Sequence, residues 1–553
     1  MLTMNQFLIV YKDKKKKRRK VKKMTKTKHY PAISLYDTLG KDAVSYILNH
    51  IEAKCVFVGD EKKLEDILSI LDELRFLEVI VTFEGSGWKI VLSLYRILCT
   101  VDTVSVKSGR GFEYSNEKNL RSPAKDIATI NYTSGTTGNP KGAVLSHENV
   151  TTLALGIITW FLPLPVNSDD RWFSYLPMAH VFERSVRCIL FTIGGQFWFS
   201  SGNLVKLLDE LAIVQPTVFG TVPRVTNRLY DRIKAAMAES PLKSWLISSA
   251  QVAKRNLLDR GIVTRSTWWD YFVLSKLQKL VGGKVHTWVS GAAPLVIDPK
   301  VRAFVREVFG CHVIESYGTT ENVGCGCATT FVNFTKDDGS VGPPQPWNDV
   351  KLASVPDMDY FAEDMCGEIC FRGANNMIGY FKEPEMTKEA IDSDGWLHTG
   401  DIGRWDELGN LHIFDRKKNI YKLAQGEYIS PEKIEGVLAK HPLVEQIFVW
   451  GSSYHHFNIA VLVFSKEFLQ KKFSTKTSVE SLIQNEEVLA WVHDEMEQYG
   501  RSEGLKGFEI PKRIILEKIQ FTVDNKLLTP TQKAKRPAIY KKYKTQIDDL
   551  YCQ

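Results

Sequence analysis

Two rhythms alternate along the first part of this chain. Residues 43–51 and 63–74 place apolar side chains at helical spacing, whereas residues 54–58 and 78–83 are short β-branched and aromatic runs. Strand and helix in turn predict a parallel sheet with crossover helices. Residues 126–130, Asp-Ile-Ala-Thr-Ile, read as another buried strand. Ser146 can cap a helix whose Val150, Leu153, Ile157 and Ile158 share one side. A helix over 204–214, a strand over 217–220 and a helix opened by Pro223 continue the pattern. Further strands are expected at 285–290, 311–316, 367–372 and 411–414, and Ser430-Pro431 is a helix start. Residues 417–553 then read as a small α+β unit. Two stretches are less regular. Trp88–Val101 is apolar but carries Lys89 and Arg96, and is expected to be a core or surface helix. Phe191–Phe199 is aromatic bulk around Gly194 and Gly195, suited to a core or to the lining of a tunnel.

Composition adds little to that picture, and charge sharpens it. With 553 residues, 44% hydrophobic and 25% charged, the chain has the make-up of an ordinary globular protein. Residues 12–23 hold ten Lys/Arg and one Asp, so that run supplies +9 and leaves −1 for the remainder of a formal +8. No broad basic face for nucleic acid follows. Residues 1–30 are expected to be a disordered basic tail. Its basic run suits a solvated segment, a tether to anionic lipid or a nuclear-localisation-like patch. No run of about 18 apolar residues predicts a membrane-spanning helix. The nine cysteines include the pairs Cys325/Cys327 and Cys366/Cys370, but no histidine stands at zinc spacing, so reduced thiols are expected.

Chemistry concentrates in residues 130–142. Thr133, Ser134, Thr136 and Thr137 alternate with Gly135, Gly138 and Gly142, and Lys141 sits near the end. Glycines let backbone N–H groups close on an anion, hydroxyls add donors, and the lysine adds charge. The run suits a polyphosphate. It is not a Walker A loop, because Lys141 follows Pro140. Further on, Gly291-Ala292-Ala293 ends a strand with small residues that let a flat ring lie on the backbone. Tyr175–Arg184 contains His180, which alone would be an ordinary structural histidine. Tyr317-Gly318-Thr319-Thr320-Glu321, the block from Asp394 through Asp401 to Asp415–Lys418, the stretch Lys422–Glu432 around Gly426, and Leu527–Pro537 around Lys533 complete the set.

Thr133–Gly142 resembles the phosphate loop of the adenylate-forming enzymes, and the later blocks narrow the resemblance to the long-chain acyl-CoA synthetases of animals. It runs from about Pro31 to the C-terminus. The resemblance implies an α/β fold: a large body of βα-layered subdomains over 31–415 and a small α+β lid over 416–553. It implies ATP, Mg²⁺ and CoA as cofactor and co-substrates and a long-chain fatty acid as substrate. Tyr317 would stack on adenine beside Gly291, Ala292 and Ala293. Thr320 would bond the α-phosphate, Glu321 would hold Mg²⁺, and Asp401 with Arg416 would take the ribose. His180 would lie at the acyl carboxylate, Lys533 would serve adenylation with Lys535 as the rival, Asp415 would mark the hinge, and Gly426 would adjoin the pantetheine channel. Well over a hundred residues, including a membrane anchor, precede Leu35 in the family, so the first sheet is expected to be incomplete. A membrane-surface partner and the cytosolic face of the endoplasmic reticulum, mitochondrial outer membrane or peroxisome go with that resemblance. Competing readings are a ligase for other acyl or aryl acids and an inactive scaffold.

Overall fold

A computed structural model describes residues 7–10, 32–36, 39–84, 87–94, 97–101, 123–133, 139–160, 166–202, 206–221, 223–238, 240–291, 299–330, 339–473, 482–483, 485–529 and 533–552. The first sheet has six strands in the order Ala32–Leu35, Phe7–Val10, Cys55–Val58, Val79–Glu84, Gly87–Leu94, Ile97–Val101. Its centre, Cys55–Val58 against Val79–Glu84, is parallel as the alternation predicts. Two expectations change here. Phe7–Val10, inside the expected tail, is a strand antiparallel to both neighbours. The expected helix at Trp88–Val101 is two antiparallel strands instead. Its two charges fit either element, and pairing Thr82 with Lys89 and Ile90 with Val101 lets β-branched positions complete a ladder.

The second sheet positions the chemistry. Gln196–Phe199, Arg171–Ser174, Val218–Thr221, Thr287–Ser290 and His312–Tyr317 run parallel, and Cys327–Ala328 closes one edge antiparallel. Crossover helices pack against the sheet, and its inner strands are largely buried while carrying polar residues such as Ser174, Thr221, Ser290 and Glu315. Trp172, Phe219, Trp288 and Phe309 are fully buried here, with Phe219 edge-on to Trp288 at 4.8 Å. Gly220 is required by a close approach: a Cβ there would lie 1.9 Å from Trp172 Cη2. As in other open α/β sheets, the carboxyl ends of the parallel strands face the cleft.

Two smaller sheets complete the body. Ile127–Thr133 and Lys141–Ser146 pair antiparallel, with Thr133 opposite Lys141. Ser146 and Asn149 cap the following helix reciprocally, Asn149 N–H to Ser146 Oγ (3.1 Å) and Ser146 N–H to Asn149 Oδ1 (2.7 Å). Asn348–Ala353, Cys366–Gly373, Leu397–Trp405 and Leu411–Arg416 make a four-stranded antiparallel sheet ending at the domain boundary. Beyond it, the lid packs Val444–Trp450, Ile459–Phe464 and Arg513–Glu517 against helices Pro431–Leu438, Glu486–Ser502 and Arg536–Cys552.

Candidate active site

Between body and lid lies a cavity of about 700 Å³. Thr133, Lys141, His180, Tyr317, Thr320, Glu321, Asp401, Asp415, Arg416 and Lys533 all line it, so residues drawn from 400 positions of sequence meet around one space. Ser134, Gly135, Thr136, Thr137, Gly138, Ala292 and Ala293 lie outside the described residues. Gly291 packs behind the cavity: a Cβ there would lie 2.7 Å from Ser316 Oγ, and Ser316 is a lining residue. Gly426 is exposed on a ribbon of the lid, away from the cavity, with φ +99. Lys533, not Lys535, is the lysine of that motif in the cavity wall.

Local structure aims these groups. Tyr317 ends a central strand, and Gly318 follows because a Cβ would strike the backbone at Gly324 and Cys325 at 2.5 Å. Tyr317 Oη donates to Asp401 Oδ2 (2.8 Å), while Arg416 Nε lies 3.3 Å from Asp401 Oδ1. Both carboxylate oxygens are thereby oriented. Burial pushes Asp401 above the usual carboxylate range, and Arg416 pulls it back. Tyr380 Oη donates to Glu321 Oε1 (2.8 Å), and Lys141 Nζ stands over the Tyr380 ring at 5.5 Å. His180 caps the helix Val181–Ile193, its Nδ1 accepting from Phe182 N–H (3.2 Å). That bond leaves the proton on Nε2, and burial, reinforced by Lys533, lowers His180 to about 4.

Lys533 stands among several charges. Burial, then the Arg416 charge, bring it down to about 8, while Asp401, Glu432 and Glu321 act in the opposite direction. Asp415 is the clamp at the boundary. Oδ1 accepts from Arg416 N–H (2.6 Å), and Oδ2 accepts from Ser430 Oγ (2.7 Å) and Glu432 N–H (3.0 Å).

A second, apolar cavity of about 140 Å³ adjoins the first, sharing Phe182, Ser316 and Gly324 as walls. Leu153, Ile157, Trp172, Ile189, Val289 and Ile314 line it. Of the stretch Phe191–Phe199 offered as tunnel lining, Ile193 reaches this cavity, whereas Phe191, Trp198 and Phe199 are exposed. Phe191 stands near the end of the helix Val181–Ile193, whereas Trp198 and Phe199 belong to Gln196–Phe199, the edge strand of the second sheet.

The model of the AMP-binding enzyme family matches residues 30–381, and that of the AMP-binding enzyme C-terminal domain matches residues 418–553. The chain belongs to the AMP-binding enzyme family. Human long-chain-fatty-acid–CoA ligase 1 is 41% identical over 530 residues, 94% of this chain and 74% of that one. Mouse long-chain-fatty-acid–CoA ligase 5 is 41% identical over 94% of this chain and 76% of its own. Fatty acyl-CoA synthetase A of Dictyostelium discoideum is 38% identical, with 94% and 78% covered. Among solved structures, the A domain of carboxylic acid reductase from Segniliparus rugosus, in complex with AMP and a co-purified carboxylic acid, has TM-score 0.68 at 23% identity, covering 94% of this chain and 78% of that chain. ATP-bound MatB from Rhodopseudomonas palustris has TM-score 0.60 at 22% identity, with 92% and 83% covered. These two share the fold.

In this AMP-binding enzyme the main cavity lies where the two matched regions meet. It also holds residues to which the sequence assigned no role: Tyr36, Tyr380, Lys417, Lys418 and Glu432. Glu432 Oε1 accepts from Asn419 Nδ2 (2.8 Å), while Oε2 is buried without a hydrogen bond. Burial, with Asp415 and Glu435 adding to it, pushes Glu432 up to about 8. Its neutral form is thereby favoured. Lys141, Arg416, Lys417, Lys418 and Lys533 then face the carboxylates of Glu321, Asp401 and Asp415, a net positive site suited to a polyphosphate. The Ser-Pro-Glu sequence at 430–432 signals a helix start, and nothing local to it signals a cavity wall.

Proposed function

We propose that this AMP-binding enzyme is an ATP-dependent long-chain fatty acid–CoA ligase that works through an acyl-adenylate. The observation that carries the reading is the meeting of Lys533, Glu321, Asp401, Arg416 and His180 around one cavity that shares walls with an apolar one. The long-chain ligases named above, at about two-fifths identity, support the acyl class.

In the first half-reaction, a fatty-acid carboxylate oxygen attacks the α-phosphorus of ATP, the bond to the bridging oxygen breaks, and pyrophosphate leaves. Asp401 accepts from the ribose hydroxyls, with Arg416 and Tyr317 fixing its orientation. His180, neutral with its proton on Nε2, can donate to the acyl carboxylate without holding it as an ion pair. Lys533 and Thr320 offer positive charge and a hydroxyl to oxygens on which negative charge grows. Glu321 fits Mg²⁺: a hard carboxylate with one oxygen steadied by Tyr380, beside a phosphate site, is what a cation that keeps its waters uses. When bound there, Mg²⁺ would neutralise phosphate charge. In the second half-reaction the CoA thiol attacks the acyl carbonyl carbon, and AMP departs. This step needs Lys533 withdrawn and the Gly426 ribbon brought in, a rotation of the lid about Asp415.

The test is Lys533→Ala, assayed for fatty-acid-dependent pyrophosphate release and, separately, for thioester formation from supplied acyl-adenylate. The first should fall by about 10²-fold or more, and the second should persist. Undiminished pyrophosphate release removes the assignment. A panel of acids of increasing length separates this reading from a ligase for shorter or aryl acids. A location on the cytosolic face of the endoplasmic reticulum rests on the family resemblance, and fractionation of the tagged full chain tests it.

A further inference from the structure

Far from the cleft motifs, residues 260–284 form an unusual surface. The helical run Asp270–Leu274, with π geometry, continues into Ser275–Gln278. One side faces inward. Leu274 is fully buried, and the Asp270 carboxylate is held by Lys254 Nζ (2.9 Å), Thr267 and Gln278. The other side shows Trp268, Tyr271 and Phe272 to solvent, 58%, 67% and 71% exposed. Trp268 leans on Phe272 at 5.3 Å and meets Trp269 edge-on at 4.8 Å, so the rings form one knuckle rather than scattered side chains. Single exposed apolar residues are ordinary; three adjacent large aromatics are not.

Charge says what covers them. Within 260–284 stand Arg260, Arg265, Lys276, Lys279 and Lys284, against one acid, Asp270, which is buried and neutralised by Lys254. With Asp259, which adjoins the run and is exposed, the balance over 259–284 is five basic residues to one unneutralised acid. Aromatic rings with Tyr and Trp among them, ringed by Lys and Arg, match the boundary between acyl chains and anionic headgroups. Among the described residues no helix is long and apolar enough to cross a membrane. We propose that Trp268, Tyr271 and Phe272 are an interfacial docking site for an anionic lipid bilayer, with Lys276 and Lys279 supplying the headgroup contacts. The site is separate from the basic run at 12–23. It does not depend on the ligase reading, because binding is measured without nucleotide.

The experiment is flotation of the full chain with vesicles of phosphatidylcholine alone and with about one third phosphatidylserine, at low and raised salt. The chain should float with the anionic vesicles, and less as salt rises. Trp268→Ser with Phe272→Ser should weaken binding about tenfold, and Lys276→Glu with Lys279→Glu by a similar factor. The second pair lies on exposed positions, so it reports even if the aromatic pair unfolds the chain. Neutralising residues 12–23 should leave a component that the Lys276→Glu, Lys279→Glu pair removes. Unchanged flotation of the charge-reversed chain overturns the proposal, as does loss of all binding on neutralising 12–23. Absence of vesicle binding together with a wild-type dimer that the aromatic variant dissociates assigns the knuckle to a second copy instead.

Discussion

At the scale of single residues, protonation decides what the cleft can do. Lys533 sits near 8 in the free enzyme, so kcat/KM for ATP in the pyrophosphate-forming step should fall as pH rises through about 8. Lys533→Arg, which keeps its charge, should lower the maximum but remove that alkaline limb; an unmoved limb would assign it elsewhere. Glu432 gives a prediction of opposite kind. Its carboxyl is raised from 4.5 to about 8 on folding, so the native state holds a proton that the unfolded chain releases. That contribution is fully present below about 4.5 and is lost as pH rises through 8. Glu432→Gln cannot ionise and keeps an oxygen for Asn419 Nδ2. It should gain stability relative to wild type as pH goes from 5 to about 8, read by urea unfolding at the two pH values. A pH-independent difference would show that Glu432 is ionised when folded.

At the scale of elements, close contacts carry the consequences. Gly220→Ala puts a methyl 1.9 Å from Trp172, which also walls the apolar cavity. Overpacking costs about 1–3 kcal/mol, so the melting temperature should drop measurably. If Trp172 yields toward the cavity, acceptance should also shift to shorter acids, which the chain-length panel reads. Elements were legible from the sequence where signals were contiguous. Ser430-Pro431 starts its helix, Ser146 caps one, and the strands ending at Ser290 and Tyr317 stand within two residues of expectation. The cleft was legible wherever one peptide carried several groups, as in Tyr317–Glu321. Glu432, Tyr380 and Tyr36 were not, because the fold alone brings them there. The apolar wall was misplaced for a related reason. Leu153, Ile157 and Trp172 look like any core positions, whereas in the aromatic run at 191–199 only Ile193 lines the cavity and Phe191, Trp198 and Phe199 are exposed. Trp88–Val101 was misjudged because a mostly apolar run with two charges fits a helix as well as strands, and only partner strands decide for a hairpin.

At the scale of the whole molecule, some contacts between lid and body lie outside the cleft. Lys300 on the body lies 3.2 Å from Glu503 on the lid, Lys422 Nζ is 3.7 Å from Asp359, and Tyr428 Oη donates to Asp357 O (2.5 Å). Lys300 is largely exposed, and such pairs contribute about 0–1 kcal/mol. Lys300→Glu should therefore slow pyrophosphate release by at most about fivefold and leave turnover of supplied acyl-adenylate unchanged; Glu503→Lys in the same chain should restore it. Equal loss in both assays would mean that the pair stabilises the fold rather than the closed lid. Lys533 and Gly426 both belong to the lid but stand at different places, the first in the cleft and the second in solvent. They cannot occupy the same ground together. Kinetically, the thiol must wait until the first product has gone, so double-reciprocal plots at several thiol concentrations should run parallel.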